Sequence, residues 1–122
     1  MTPKEWPTQF TRLLNAGNLE AVVELYEPNA RFVAPSGELV VGRWRISQAL
    51  EYLVRAKANL ESHVIREIVF DHIALLYTNF NGSMLDESGA RVPLHFKAIE
   101  VLRRQDDGLW QLVISDPSGR TR

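Results

Sequence analysis

The sequence predicts an α+β domain in which three N-terminal helices lie against a strongly bent antiparallel sheet. Two patterns carry this. Up to about residue 55, apolar residues recur at helical spacing; beyond it, β-branched and alternating stretches are separated by turn residues. The length agrees: 122 residues, 45% of them apolar, suit one domain (residues 1–122) that closes its core without staples.

The first helix is read from Trp6, Phe10, Leu13, Leu14 and Gly17 on one face. Two starts compete. Thr2, Pro3 and Glu5 resemble a cap, a first-turn proline and a capping box, whereas Pro7 disfavours helical geometry at Trp6. Gly17 suits a left-handed stop and Asn18 a new cap, so a second short helix carries Leu19, Val22, Val23 and Tyr26 until Pro28 ends it. Ala30 to Ala34 and Glu38 to Val41 read as short strands around the Pro35-Ser36-Gly37 turn. Ile46, Ala49, Leu50 and Leu53 share a face of the third helix. Strands follow over Ser62 to Phe70 and Ile73 to Phe80. A polar loop bracketed by Asn81-Gly82 and Ser88-Gly89 comes next. Arg91 to Arg104 and Leu109 to Asp116 form a last hairpin around Asp107-Gly108, and Pro117-Ser118-Gly119 closes it.

Side-chain alternation assigns faces. Ala74, Leu76, Thr78 and Phe80 share one face with Phe96, Ala98, Glu100, Leu102, Val113 and Ser115, provided the last hairpin has no bulge. The opposite face carries Ile73, Leu75, Tyr77, Ile99, Val101, Leu112 and Ile114. Both faces are apolar, yet the helices can cover only one. The other face is expected to seek a second copy of the chain, giving a homodimer through the sheet.

The bulk numbers exclude several classes. Cysteine is absent, which removes disulfides, thiolate metal sites and cysteine nucleophiles. A net charge of −1 gives no strong field toward nucleic acid or an acidic membrane. No apolar run reaches membrane-span length, and the first ten residues lack a secretory pattern, so a cytoplasmic protein without membrane or nucleic-acid partners is expected. His63, His72 and His95 show no metal-ligand spacing, and no phosphate-binding glycine loop or nucleophile elbow occurs; neither metal nor cofactor is expected.

Several phrases, in order, resemble the SnoaL-like or nuclear-transport-factor-2-like superfamily. They are Leu14-Asn15-Ala16-Gly17-Asn18-Leu19, Leu25-Tyr26-Glu27-Pro28-Asn29-Ala30, Val41-Gly42 with Ile46, and Glu100-Val101-Leu102-Arg103-Arg104 followed by Asp107-Gly108-Leu109-Trp110. The resemblance implies a cone-shaped, cystatin-like roll with a pocket between helices and sheet, commonly dimeric. The enzyme classes it implies are ketosteroid-isomerase-like isomerases, lyases and cyclases.

At the positions resembling the ketosteroid isomerase residues, the tyrosine donor is Phe10, the base is Ala34 and the second acid is Glu100. Phe10 has no hydroxyl and Ala34 takes no proton, so steroid isomerisation is not expected. Glu100 is the candidate catalytic residue, expected inside the cone with its pKa raised by burial. The ligand would be a small apolar or cyclic molecule, and the reaction proton transfer, hydration or cyclisation. The expected walls are Phe10 and Leu14 from the first helix, Tyr26 at the end of the second and Ala34 after the first strand. Ala49 and Leu53 come from the third helix. The sheet supplies Leu76, Thr78, Phe80, Phe96, Ala98, Leu102, Val113 and Ser115. The competing reading is a non-enzymatic ligand-binding or dimeric interaction module. Asp116 reads mainly as a turn cap, and His95 as an outward-facing residue.

Overall fold

Prolines shape the start of the chain. Pro3 opens a 3-10 turn over Pro3–Glu5, and the Glu5 carboxylate accepts from the Thr2 N–H at 2.6 Å. Helix α1, Trp6–Asn15, follows at once. Trp6 keeps φ −58° and ψ −49° although Pro7 comes next. Both start signals are therefore used, because a proline in the first turn of α1 lacks an N–H that would have had no helical partner. The computed structural model describes residues 2–118; the end of the expected closing turn, Gly119, lies outside them.

Gly17, at φ +75°, ends α1 in a left-handed turn, with the Asn18 N–H bonded back to the Leu13 carbonyl at 3.0 Å. The Asn18 side chain then caps α2, Leu19–Val23, accepting from the Ala21 N–H at 3.2 Å. The helix stops earlier than the sequence suggests. Tyr26 begins strand β1, Tyr26–Val33, and Pro28 lies within that strand. The β1 register shifts between Tyr26 and Arg31, so the proline falls where the ladder is already interrupted. Then come β2 (Leu39–Val41), α3 (Arg43–Arg55), β3 (Asn59–Phe70), β4 (Ile73–Leu85), β5 (Arg91–Arg104) and β6 (Trp110–Asp116).

The six strands form one sheet in the order β2-β1-β6-β5-β4-β3. All neighbouring pairs are antiparallel except β1 with β6, which run parallel. The hairpin fixes the direction of β6, and its free edge is then taken by the strand that enters from the helices. Register breaks in β1, in β3 between Val64 and Arg66, and in the β5–β6 pair between Val101 and Leu102 bend the sheet. The helices lie in its hollow. Trp6, Phe10, Leu14, Ile46, Leu50 and Leu53 join Leu76, Phe80, Ala98, Leu102 and Leu112 in one core.

Two further expectations need correction. Strand β4 does not stop at Phe80 but runs through Asn81-Gly82. Gly82 is not a turn residue: a Cβ there would lie 1.8 Å from the Asn59 carbonyl oxygen. It marks a close approach of two backbones. The Leu60 peptide beside it is held by Asn15, whose Nδ2 donates to the Leu60 carbonyl at 2.9 Å and whose Oδ1 accepts from its N–H at 2.8 Å. The turn comes later, where the Asp86 carboxylate accepts from the N–H groups of Ser88 and Ala90 at 2.9 and 3.0 Å.

The second correction concerns β6. Leu112, expected on the outer face, is fully buried and pairs with Leu102. The bulge sits at Val113, between the Leu102–Leu112 and Val101–Ile114 pairs. One extra residue inverts the parity on its N-terminal side, so Leu112 points inward while Ser115 keeps its expected inward place.

A candidate ligand pocket

A cavity of about 260 Å³ opens between α1, α3 and the concave sheet. Its walls are mostly carbon. Phe10 from α1, Leu50, Tyr52 and Leu53 from α3, Tyr26, Phe32 and Val33 from β1, Phe80 from β4, and Leu94, Phe96 and Ala98 from β5 line it. Pro35, His95, Pro117 and Ser118 complete the lining. The aromatic wall is built by contact. Trp6 stacks on Phe10 at 5.4 Å between centroids, Phe10 meets Phe80 edge-on at 5.8 Å, and Phe80 stacks on Phe96 at 4.7 Å.

Three buried side chains with polar groups, Glu100, Ser115 and Tyr26, interrupt this wall. Glu100 is 2% exposed, and its Oε1 accepts from the Thr78 hydroxyl at 2.8 Å. Thr78 faces it because the two share a face of the sheet on adjacent strands, two positions apart in register. Ser115 is the register partner of Glu100 on β6 and is 4% exposed. Tyr26 is buried beneath Trp6, whose ring it meets edge-on at 5.5 Å. Burial, and secondarily the neighbouring Glu100 charge, hold the Tyr26 phenol well above the ordinary tyrosine range. Burial also raises the Tyr52 phenol.

Of the residues expected from the sequence, Phe10, Tyr26, Leu53, Phe80, Phe96, Ala98, Glu100 and Ser115 border the cavity. Leu14, Leu76 and Leu102 are packed in the core, and Thr78 reaches the site through Glu100. Ala34 and Ala49 are half-buried off the wall, and Val113 is the bulged residue. Tyr26 reaches the cavity from the start of β1 rather than from the end of a helix. Leu50 and Leu94 were legible as neighbours of Leu53 and Phe96 on the same faces, whereas nothing local marked Val33, Pro35, Pro117 or Ser118. His95 sits at the rim, its Nδ1 2.9 Å from the Asn81 Oδ1. Asp116 accepts from the Ser118 N–H at 3.3 Å, capping the final turn. Trp44 is exposed.

Among the described residues, no group of three His, Cys, Asp or Glu is placed to hold a metal ion. None of the described helices is long and apolar enough to cross a membrane.

An open, curved six-stranded sheet with its helices on the concave side is the nuclear-transport-factor-2-like class of α+β fold. Within it, the chain belongs to the SnoaL-like domain family, whose model matches residues 8–113. Solved structures share the fold at low identity. A ketosteroid isomerase-like protein from Erwinia carotovora atroseptica superposes with a TM-score of 0.81 at 14% identity, covering 93% of this chain and 89% of that one. An NTF2-like family protein from Streptomyces avermitilis that carries a provisional dehydratase label gives 0.74 at 20% identity, covering 91% and 88%. The epoxide hydrolase/cyclase-like enzyme SalBIII, of pyran ring formation in the polyether salinomycin, gives 0.69 at 20% identity, covering 97% and 91%. No curated protein matches the sequence.

Proposed function

We propose that this cytoplasmic protein binds a small, mostly apolar cyclic molecule in the cone and that Glu100 transfers a proton to or from it. The observation that carries this is a carboxyl group 2% exposed on the wall of an apolar cavity. A carboxyl so placed is a common device for acid–base chemistry, because it meets the ligand with little competing water. The fold's relatives named for dehydration and for ring formation support proton transfer, hydration or cyclisation as the reaction type. Phe10 and Ala34, at the positions resembling the steroid isomerase donor and base, speak against steroid isomerisation.

The test is hydrogen–deuterium exchange beside the carbonyl of 1-tetralone in D2O, followed by NMR. Wild type should speed the exchange, and Glu100→Gln should lower the catalysed rate by about a hundredfold or more. Equal rates in the two proteins would remove Glu100 as the proton-transfer group.

The competing reading, an interaction module, draws on the outer face of the sheet. Ile68, Phe70, Ile73 and Ile114 are exposed there, with Leu75, Tyr77, Ile99 and Val101 half-buried beside them. A second copy of the chain presents the same face, so a twofold dimer would cover both. This dimer is compatible with either reading of the cavity.

A further inference from the structure

We infer that Tyr26 and Ser115 are the donors that recognise an uncharged acceptor oxygen, such as a ring ketone, on the ligand of this cavity. The inference rests on the pocket reading above and names the chemistry the pocket selects. Both side chains line the cavity, at 1% and 4% exposure. Among the described residues, neither hydroxyl has a hydrogen-bond partner. Buried hydroxyls are nearly always bonded, and each exception calls for a reason. Here the reason is shared, because both border the same space.

The two donors are held ready. The Tyr26 ring is clamped edge-on by Trp6, and its backbone carbonyl accepts from the Arg43 Nε at 2.8 Å. Ser115 is fixed in the ladder opposite Glu100. Tyr26 also lies close enough to Glu100 to feel its charge. Tyr26, Ser115 and Glu100 thus come together in a wall that is mostly carbon apart from them and Tyr52, His95 and Ser118.

Charge decides which oxygen fits. No lysine or arginine borders the cavity among the described residues, and Glu100 does. Among the described residues, a carboxylate or phosphate ligand would meet the Glu100 carboxyl and no cation. A neutral carbonyl offers two lone pairs to two hydroxyl donors and leaves the rest of its skeleton to the aromatic wall. The cavity volume, about 260 Å³, lies just below the usual range for drug-sized ligands and so favours a compact one- or two-ring compound.

The experiment compares 1-tetralone with tetralin, the same two-ring skeleton without the oxygen. Dissociation constants are measured by calorimetry on wild type, Tyr26→Phe and Ser115→Ala. Tyr26→Phe should weaken 1-tetralone about tenfold and leave tetralin unchanged; Ser115→Ala should act in the same sense. The unchanged tetralin affinity also shows that the variants keep the cavity. If both variants bind 1-tetralone as wild type does, the donor assignment is overturned while the pocket stands. If wild type binds neither probe, the pocket reading falls and this inference falls with it.

Discussion

Replacing Gly82 by alanine tests how the helical layer is joined to the sheet. The backbone at Gly82 has no left-handed twist, so alanine meets no conformational penalty there. The penalty is contact. The new Cβ would lie 1.8 Å from the Asn59 carbonyl oxygen, where ordinary contact begins at 3.4 Å, so β3 and β4 must part by about 1.6 Å. That shift pulls at the Leu60 peptide, which Asn15 holds through bonds of 2.9 and 2.8 Å, and at the buried Leu60 side chain. Losing partners for a peptide N–H and C=O costs about 1–3 kcal/mol for each group left unsatisfied, so a total of about 2–6 kcal/mol is expected. Urea unfolding followed by tryptophan fluorescence measures it, with Gly89→Ala as the contrast. A Cβ at Gly89 meets nothing within 4 Å but carries φ +85°, so that variant loses only the roughly 1–2 kcal/mol of left-handed strain. Asn15→Ala combined with Gly82→Ala should cost less than the sum of the two, since both act on the same peptide. A Gly82→Ala protein with an unchanged unfolding midpoint would refute the close-approach argument. So would additive losses in the double variant.

Four further outcomes follow from particular groups. Burial raises the Glu27 pKa, but hydrogen bonds from Arg103 and Gln105, with the Arg103 charge, outweigh it and leave the carboxyl below its ordinary value. Its contribution is therefore complete above the unfolded pKa of about 4.3 and lost as pH falls through the lower folded value. Arg103→Gln should flatten that part of an acid-stability profile, by no more than about 1 kcal/mol because Arg103 is half exposed. In an ultraviolet pH titration Tyr26 should ionise well above the ordinary tyrosine range, and Glu100→Gln should lower its pKa without restoring the ordinary value, because burial is the larger cause. A wild-type titration in which all three tyrosines ionise near pH 10 would contradict this environment. Ile99→Lys, on the outer face, should turn a homodimer into monomers by light scattering; a wild type already monomeric at high micromolar concentration would end the dimer proposal. Purified protein should not isomerise Δ5-3-ketosteroids, and a Glu100-dependent rate in that assay would overturn the argument from Phe10 and Ala34.

The sequence by itself determined the α+β class, the third helix, the long strands and the face on which Glu100 lies. Each of these depends on local periodicity or alternation, and alternation from Ala74 to Phe80 and from Phe96 to Leu102 is unbroken. Alternation misleads once a residue is inserted into the ladder, and nothing in Leu112-Val113-Ile114 announces which residue is extra. That was decided by the curvature of the sheet and by β1 pairing along the far edge of β6. Likewise, Asn81-Gly82 has the composition of a turn, yet Gly82 lies within a strand because Asn59 presses on it from the neighbouring one. Tyr26 suits a helical face equally well, but the chain needs a strand there to cover β6. The pocket itself belongs wholly to tertiary structure. Tyr26, Glu100 and Ser115 come from β1, β5 and β6, and only the bend of the sheet beneath two helices brings them to one cavity.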